Sequence, residues 1–387
     1  MVNFTRLLGS APKASEAFEA VNRNLNEEFG STTKSPLVIF NLTRRCNLKC
    51  RHCYLEAKDI DFKNELNWAD IKNTINCFAK IKIPILLLSG GEPLLHKDIF
   101  KIIEYAKTKN IHVGLSTNGT LISRGLARKL RDLKIDYIGV SIDGTSRRHD
   151  EFRGVKGAFD AAMRGIINSL EMGIKTGMRF TINKLNAVDL APIITLCVQE
   201  KIPRFCMYHL VYSGRGKLLK EQDLDNNLRR QTIDFLIERT CEINRKVQGV
   251  EILTVDNHAD GVYIYNYLRK KNSQNAAQVL ELLKLHGGCS AGCRVVDISP
   301  EGNVYPCQFW QDNSLGNIKE KDFLEIWTNK RDNLLCQLRS KQFCLKGKCG
   351  RCRYKAHCGG CRIRAAFMYK DFFQEDPCCY LTEAEIG

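Results

Sequence analysis

The sequence predicts an α/β fold built on a parallel sheet, because strand-like apolar runs alternate along the chain with segments of helical spacing. The predicted strands are Leu37–Leu42, Ile85–Ser89, Ile111–Thr117, Tyr137–Ile142, Thr176–Ile182 and Phe205–Val211. The predicted helices between them are Asn67–Lys80, Lys97–Lys109, Ser123–Leu133 and Phe159–Met172. Right-handed crossovers join such units. Six units are too few for a closed eight-stranded barrel.

The chain divides into four predicted parts. These are an N-terminal extension (1–34), the parallel sheet (35–216), a charged helical bridge (217–285) and a cysteine-rich region (286–387). The extension contains a predicted helix, Ser15–Phe29. The last part shows short strand signals at Val295–Ser299 and Asn303–Pro306, but little apolar surface. We therefore expect metal clusters to organise it.

Composition narrows the class of protein. The chain has 387 residues with 44% hydrophobic content, enough for a large core. No apolar run approaches the roughly 18–20 residues that span a bilayer, and Met1–Ser10 lacks the apolar stretch of a signal peptide. We expect a soluble cytoplasmic protein with no membrane partner.

Charge and cysteine content point to metal clusters. Eleven of the 18 cysteines lie between Cys289 and Cys379, which in an unsecreted protein indicates metal binding rather than disulfides. The net charge is +16, and 333–370 contains ten Lys and Arg but no Asp or Glu. These cations can compensate thiolate-ligated clusters or meet a substrate with several carboxylates. Nucleic acid is disfavoured as a partner, since no binding module is recognisable.

The most informative motif follows the first predicted strand. Cys46, Cys50 and Cys53 have CxxxCxxC spacing and can hold three irons of a 4Fe–4S cube, which leaves the fourth iron without a protein ligand. A zinc knuckle is the alternative, but it lacks a nearby fourth ligand. The motif resembles that of the radical S-adenosylmethionine (radical SAM) superfamily, in which SAM occupies the open iron. His52 stands where that family has an aromatic ring.

The resemblance implies an open, partial (β/α)6 barrel whose C-terminal loops carry the chemistry. It also implies a SAM pocket, with the GGEP segment at the amino group, a serine and an aspartate at the ribose, an arginine at the carboxylate and a leucine on the adenine. The cofactor-binding residues implied are His52, Gly90, Gly91, Glu92, Pro93, Asn118, Ser141, Asp143, Arg153 and Leu210. For Arg153 a surface salt bridge is the alternative.

The sixth predicted strand leads into polar-tipped residues at the expected barrel mouth. Tyr208 and His209 are candidate catalytic residues beside the three cysteines, while Tyr212 and Arg215 follow shortly after. Buried, hydrogen-bonded side chains are an equally good interpretation of this segment.

The C-terminal cysteines resemble a SPASM domain, the auxiliary-cluster extension of many radical SAM enzymes. The resemblance implies one cluster held by Cys289, Cys293, Cys307 and Cys361. It implies a second held by Cys349, Cys352, Cys358 and either Cys378 or Cys379. The Cys358–Cys361 gap is one residue shorter than usual, and Cys336 and Cys344 are extra, so one or two auxiliary 4Fe–4S clusters are expected. A zinc site of treble-clef or ribbon type is the alternative.

Three stretches are similar to the tetrapyrrole-modifying branch of the superfamily: Phe4–Leu8, Tyr208–Gly216, and Val304–Gln311 with Leu315–Asn317. The resemblance implies that a 5′-deoxyadenosyl radical acts on a tetrapyrrole at low oxygen, with an electron donor such as ferredoxin or flavodoxin. The nearest type is the didecarboxysiroheme deacetylase, which converts two acetates to methyl groups to give Fe-coproporphyrin III. Trp310 or Tyr212 could stack on the macrocycle.

Three other functions stay open. The first is oxidative decarboxylation of Fe-coproporphyrin III, and the second is maturation of a peptide or protein. The peptide function predicts an N-terminal winged-helix module, for which Met1–Lys34 is too short. The third is a non-catalytic iron–sulfur scaffold, which the intact SAM motifs disfavour.

Overall fold

A computed structural model describes residues 1–9, 35–247 and 249–387. The predicted helix Ser15–Phe29 lies outside the described residues. The structure confirms the α/β architecture predicted for the chain, a sheet flanked by helices with a cysteine-rich C-terminal region.

One sheet runs through the described part of the molecule. Its strands, β1 to β11, are Val2–Asn3, Leu37–Asn41, Leu86–Ser89, Val113–Thr117, Tyr137–Ser141, Thr176–Ile182, Arg204–His209, Glu251–Val255, Val295–Ile298, Asn303–Tyr305 and Gly316–Asn317. Their order is β1-β8-β7-β6-β5-β4-β3-β2-β9-β10-β11. Every pair of neighbouring strands in the run β8-β7-β6-β5-β4-β3-β2-β9 is parallel. At the two ends of the sheet, β1 pairs with β8, β10 with β9 and β11 with β10, all antiparallel.

Helices connect the parallel strands. Those described, α1 to α15, are Phe4–Leu7, Trp68–Lys80, Ile99–Thr108, Arg124–Asp132, Ser146–Arg153, Ala158–Glu171, Leu190–Gln199, Asn226–Lys246, Ala259–Lys270, Ala276–His286, Phe323–Trp327, Asn333–Arg339, Gly347–Arg351, Arg362–Tyr369 and Glu383–Ile386. Local sequence sets their starts. Asn67 forms a capping box with Asp70 at the start of α2, and the Ser123 side chain accepts from Leu126 N at the start of α4.

The six predicted strands are present with ends shifted by one or two residues, but the sheet extends further than predicted. Strand β8 lies within the stretch expected to be a helical bridge, and it pairs with β7 in parallel. Its five residues are too short a run to stand out between two long helices. Strand β9 of the cysteine-rich region pairs with β2, so the same sheet crosses the predicted boundaries at 216 and 286. Those boundaries stay predictions.

Alternation along the strands gives the sheet two different faces. The outer face carries large apolar residues, such as Val38 and Phe40 of β2, which pack beneath the helices in the main core. The inner face carries small or polar residues. Ser116, Tyr137, Ser141, Arg179 and Tyr208 all lie there and stay partly accessible although they are within strands. We call the partly accessible side of the sheet that these residues line the inner chamber.

Candidate active site and cysteine clusters

The loop after β2 brings the three motif cysteines together above the carboxyl ends of the strands. Cys46 and Cys50 are buried and Cys53 is half-buried, in one cluster with Leu48 and Ala57. Each sulfur faces a donor at 3.4 Å: Cys46 the Leu48 N–H, Cys53 the Ala57 N–H and Cys50 the Arg153 guanidinium. Donors of this kind stabilise cluster-bound thiolates and tune their redox potential.

Burial works against the charged form of these thiols. It raises the pKa of Cys46 to about 12, and it also raises the pKa of Cys50 although Arg153 opposes this shift. Thiolates held in such a position need a positive charge beside them. Iron at this loop would supply that charge, so these donors fit a cluster with three protein ligands.

Two residues downstream of β7 support the cluster loop from below. Gly214 has φ +49°, and a Cβ there would collide with the carbonyl oxygens of Cys53 and Tyr54. Arg215 donates to the Cys50 carbonyl oxygen from Nε (2.9 Å) and to that of Ala57 from Nη1 (3.1 Å). Arg215, expected at the barrel mouth, therefore braces the iron-binding loop.

The GGEP glycines are required by the same loop. A Cβ at Gly90 or Gly91 would collide with the carbonyl oxygens of Thr43 and Arg45, and the Gly91 N–H donates to the Thr43 carbonyl oxygen at 2.7 Å. What these glycines approach closely in this structure is the cluster-loop backbone. Pro93 starts a short 3₁₀ turn that Glu92 caps.

Glu92 joins the loops that follow the neighbouring strands β3 and β4. Its carboxylate is fully buried and accepts from the Thr117 hydroxyl (2.7 Å), the Asn118 N–H (2.8 Å) and the Leu94 N–H (3.1 Å). Burial raises the pKa of Glu92 to about 7, although these three donors oppose the shift. Its predicted contact with a SAM amino group stays a prediction.

Asn118 extends this connection to the cysteines. Its Nδ2 donates to Asn47 Oδ1 at 2.8 Å and lies 3.9 Å from Cys46 Sγ. Its Oδ1 accepts from the Thr120 N–H and hydroxyl. The loop after β4 therefore contacts the cluster loop directly. The role of Asn118 towards SAM stays a prediction.

Asp143 and Arg153 are partners of each other. Both are buried, with Arg153 Nη2 on Asp143 Oδ2 and the Thr181 N–H on Asp143 Oδ1 at 2.6 Å. Burial alone would raise the pKa of Asp143, but the charge of Arg153 and the nearby His52 hold it below its usual value. The pair is buried, which differs from the surface salt bridge weighed as an alternative for Arg153.

His52 lies over the same pair. Its ring stacks on Phe152 with centroids 4.8 Å apart, and its Nε2 is 3.9 Å from Asp143 Oδ2. Burial lowers the pKa of His52 to about 4. Ser141 is the last residue of β5, and Asp143 follows two residues later, beyond the end of the strand. The roles of Ser141, Asp143 and Arg153 towards SAM stay predictions.

Tyr208 and His209 face opposite sides of the sheet. Tyr208 lies on the inner face, whereas His209 Nε2 pairs with Asp260 Oδ2 of α9 at 2.9 Å on the outer face. The buried, hydrogen-bonded interpretation therefore describes His209. Leu210 is also buried, packed with Phe152 and Tyr212. Of the two candidate catalytic side chains, only Tyr208 lines the inner chamber.

The sequence interpretation missed a second polar group on the inner face. Asn41 donates to Asp297 Oδ1 at 2.8 Å and accepts from the Tyr54 hydroxyl at 2.8 Å. Burial raises the pKa of Asp297 to about 7, although Gln311 and Asn41 both donate to it. Alternation within β2 and β9 could have placed Asn41 and Asp297 on one face, but their pairing depends on β9 joining β2.

A four-cysteine cavity lies in the C-terminal region. A small cavity is lined by Cys349, Cys352, Cys358 and Cys379, with Lys348 also at its wall. Four cysteines around one cavity fit a 4Fe–4S cluster. Its neighbours can offset negative charge, since Arg362 Nη2 lies 3.8 Å from Cys349 Sγ.

Cys378 points away from this cavity. Its sulfur lies 3.4 Å from Asp223 Oδ2 and 3.5 Å from the Tyr212 hydroxyl, beside α8. The structure thus separates the two adjacent cysteines that the sequence could not separate. Cys379, and not Cys378, completes the four-cysteine set.

The other cysteine set is less complete. Cys289, Cys307 and Cys361 pack together beneath Trp310. Cys293 lies near Cys289, but its thiol donates to the Leu338 carbonyl oxygen at 3.3 Å.

The two cysteine sets are adjacent, since the Cys289 N–H donates to the Cys358 carbonyl oxygen at 3.1 Å. Of the two extra cysteines, Cys336 is exposed and its thiol donates to the Lys330 carbonyl oxygen, while Cys344 is half-buried. Within the described ranges, no three His, Cys, Asp or Glu side chains are placed to hold a single metal ion. No helix of those ranges is long and apolar enough to cross a bilayer.

Comparison with known proteins agrees with this arrangement. The family model described as the radical SAM superfamily matches residues 40–197, and the SPASM model, an iron–sulfur cluster-binding domain, matches 289–353. Fe-coproporphyrin III synthase of Methanosarcina barkeri is 46% identical over 92% of this chain and 90% of its own length. Pre-heme d1 synthase of Dinoroseobacter shibae is 42% identical over 92% and 88%. AdoMet-dependent heme synthase of Methanosarcina barkeri is 33% identical over 90% and 97%.

Solved structures agree on the fold. Streptococcus suis SuiB bound to the precursor peptide SuiA aligns with a TM-score of 0.72 and 21% identity, over 96% of this chain and 82% of that one. At this identity the likeness concerns the fold alone. The sequence relatives and the cysteine sites together decide the family: the chain belongs to the radical SAM superfamily, in its tetrapyrrole-modifying branch, and is an enzyme that uses SAM and 4Fe–4S clusters.

Proposed function

We propose that this enzyme converts two acetate side chains of didecarboxysiroheme to methyl groups, giving Fe-coproporphyrin III. One observation carries the proposal, namely 46% identity along nearly the whole chain to a protein named Fe-coproporphyrin III synthase. This similarity extends over 92% of this chain, and so includes the regions on both sides of the inner chamber. A match limited to the cofactor motifs would not include those regions.

The side-chain chemistry is balanced without an external oxidant. Each acetate, as R–CH₂–COO⁻, takes up one proton and yields R–CH₃ and CO₂, so the carbon–carboxyl bond is replaced by a carbon–hydrogen bond. When bound at the three motif cysteines, the cluster and SAM supply a 5′-deoxyadenosyl radical by one-electron cleavage of SAM. The hydrogen atom that the radical removes from the substrate leaves in 5′-deoxyadenosine, so the substrate radical takes up a second electron and two protons as it loses CO₂ and becomes the methyl product. We propose a low-potential donor, ferredoxin or flavodoxin, for both electrons, and a cytoplasmic setting with little oxygen.

The protein's own part is to position the reactants and exclude water. Arg153 connects Cys50 to Asp143, so a ligand bound beside that cysteine meets both a guanidinium and a carboxylate. Glu92 and Asn118 hold the neighbouring loops against the cluster loop. We propose that Glu92, Asn118, Asp143 and Arg153 form the wall of the SAM pocket.

Two neighbouring reactions are the alternatives. Pre-heme d1 formation is favoured by the 42% identical relative. Oxidative decarboxylation of Fe-coproporphyrin III is favoured by the heme synthase relative, at a lower 33% identity.

The test is an anaerobic assay with reconstituted enzyme, SAM and dithionite, and with didecarboxysiroheme and Fe-coproporphyrin III as separate substrates. Mass spectrometry follows the tetrapyrrole and 5′-deoxyadenosine. Loss of two CO₂ from didecarboxysiroheme, with a product that co-elutes with Fe-coproporphyrin III, is expected. A product that co-elutes with pre-heme d1, or CO₂ loss from Fe-coproporphyrin III alone, would replace the proposal with the corresponding alternative.

Two cysteine variants provide the matched controls. Cys50→Ala removes a predicted ligand of the first cluster and should abolish formation of both the tetrapyrrole product and 5′-deoxyadenosine. Cys336→Ala removes an exposed thiol outside the cysteine sets and should leave both unchanged.

A further inference from the structure

Arg179 of β6 is a partly buried cation without a carboxylate partner. Of the four arginines buried in the described ranges, three are paired with an acid: Arg153 with Asp143, Arg229 with Asp223 and Arg364 with Asp376. The fourth, Arg362, donates instead to the carbonyl oxygens of Gly360, Phe372 and Gln374. Arg179 makes no ion pair with any acid of the described residues.

The contacts of Arg179 are with neutral groups only. Its Nη1 donates to the Ser116 hydroxyl, while its Nε is buried without a hydrogen-bond acceptor. A guanidinium N–H removed from water normally has an acceptor beside it, because the lost hydration is costly. The missing partner is therefore the feature that needs an explanation.

The strands on either side leave room for this side chain. A Cβ at Gly139 of β5 would collide with the Arg179 guanidinium, and a Cβ at Gly177 of β6 would collide with the Tyr137 hydroxyl. Arg179 and Tyr137 therefore lie flat across two glycines on the inner face, with the guanidinium carbon 5.9 Å from the Tyr137 ring centroid. Glycine within a strand commonly marks such a close approach.

The position of Arg179 relates it to the cluster loop. It is in register with Ser141 of β5 and lies two residues before Thr181, about 7 Å along the strand. Thr181 N–H bonds Asp143, which pairs with Arg153 beside Cys50. Arg179 thus lies on the floor of the inner chamber, beneath the site where SAM would bind.

We propose that Arg179, with the Tyr137 hydroxyl beside it, binds a carboxylate side chain of the tetrapyrrole substrate. The planar guanidinium presents paired donors that match a carboxylate, and its Nε is free to take one of the oxygens. A carboxylate held there orients the macrocycle in the chamber below the cluster. This inference rests on the proposed function, because it takes a tetrapyrrole with several carboxylates as the ligand.

Arg204 of β7 offers a matched control. It is also on the inner face and lies 5.3 Å from the Tyr137 ring, but its Nε donates to Glu251 at 2.8 Å. Arg179→Met and Arg204→Met remove the same group from neighbouring strands. The two arginines differ in their partners, because Glu251 already neutralises Arg204 whereas no acid of the described residues pairs with Arg179.

The experiment compares binding of two probes, didecarboxysiroheme and its carboxamide derivative, by absorbance titration of the iron-loaded enzyme. Wild type should bind the acid more tightly than the amide. Arg179→Met should weaken acid binding by about 10- to 100-fold, the range for a charge-assisted hydrogen bond, and bring the acid-to-amide ratio close to one. Arg179→Lys should retain part of the wild-type preference for the acid over the amide. Arg204→Met should have the same acid-to-amide ratio as wild type.

Two readouts separate binding from structural damage. Iron content and SAM cleavage without a tetrapyrrole should match wild type in Arg179→Met. An unchanged acid-to-amide ratio, or equal weakening of both probes, would overturn the inference. Wild type that binds the acid preferentially without converting it would refute the proposed reaction but leave the Arg179 test in force, whereas no tetrapyrrole binding at all would refute both.

Discussion

The adjacent residues Cys378 and Cys379 should respond in opposite ways to the same substitution. Cys379 lines the cavity shared with three other cysteines, whereas Cys378 contacts Asp223 and Tyr212. Cys379→Ala should therefore destabilise one auxiliary cluster, and Cys378→Ala should leave every cluster intact.

The iron content sets the expected magnitude. A chain with the first cluster and both auxiliary clusters holds about 12 irons, so loss of one cluster removes about a third of them. Cys378→Ala loses only weak sulfur hydrogen bonds, which costs on the order of 1 kcal/mol of folding free energy. Its iron content should equal that of wild type.

The assay is iron and sulfide analysis after anaerobic reconstitution, desalting and challenge with a chelator. Mössbauer spectra then show which cluster type is lost. Retention of the first cluster, and hence of SAM cleavage, is the internal control. Equal iron loss in both variants, or greater loss in Cys378→Ala, would refute the assignment of Cys379.

Three further outcomes are expected. Gly91→Ala should displace the cluster loop at Arg45 and lower SAM cleavage at least about tenfold. Gly125→Ala, on an open helix surface, is the control and should leave SAM cleavage unchanged. Iron content and the yield of 5′-deoxyadenosine measure both variants. Arg153→Met should lower folding stability by about 3–5 kcal/mol, seen as a lower melting temperature, because its buried carboxylate partner is left unpaired. Burial raises the folded-state pKa of Asp297 from 3.8 to about 7, so its contribution to stability is present below pH 3.8 and is lost as the pH rises from there to about 7. Asp297→Asn should flatten that fall in melting temperature, and parallel curves for the two proteins would contradict it.

The shared sheet explains how the C-terminal region reaches the reaction chamber. Strand β9 pairs with β2, the strand that leads into the three-cysteine loop. Asp297 thereby contacts Asn41, and the Tyr54 hydroxyl of the cluster loop contacts the same Asn41. Asp297, Asn41 and Tyr54 therefore form a hydrogen-bonded chain between strand β9 of the C-terminal region and the three-cysteine loop.

The sequence by itself determined the strand–helix alternation, the three-cysteine loop and the presence of a second cysteine region. These depend on local spacing, since a short loop brings Cys46, Cys50 and Cys53 together whatever surrounds it. Confirmed strand positions, such as Thr176–Ile182, likewise follow from short-range apolar patterns. The resemblance to the tetrapyrrole branch also rested on local stretches, and the full-length relatives confirmed it.

Only the tertiary structure decided which of two residues adjacent in the sequence faces the site. Tyr208 and His209 must point to opposite faces, but which face is the inner one depends on where the helices pack. The choice between Cys378 and Cys379 likewise depends on α8 and on the distant cysteines. Arg179 became notable only once the structure placed no acid beside it. These contacts join residues far apart in sequence, and local pattern carries no information about such distances.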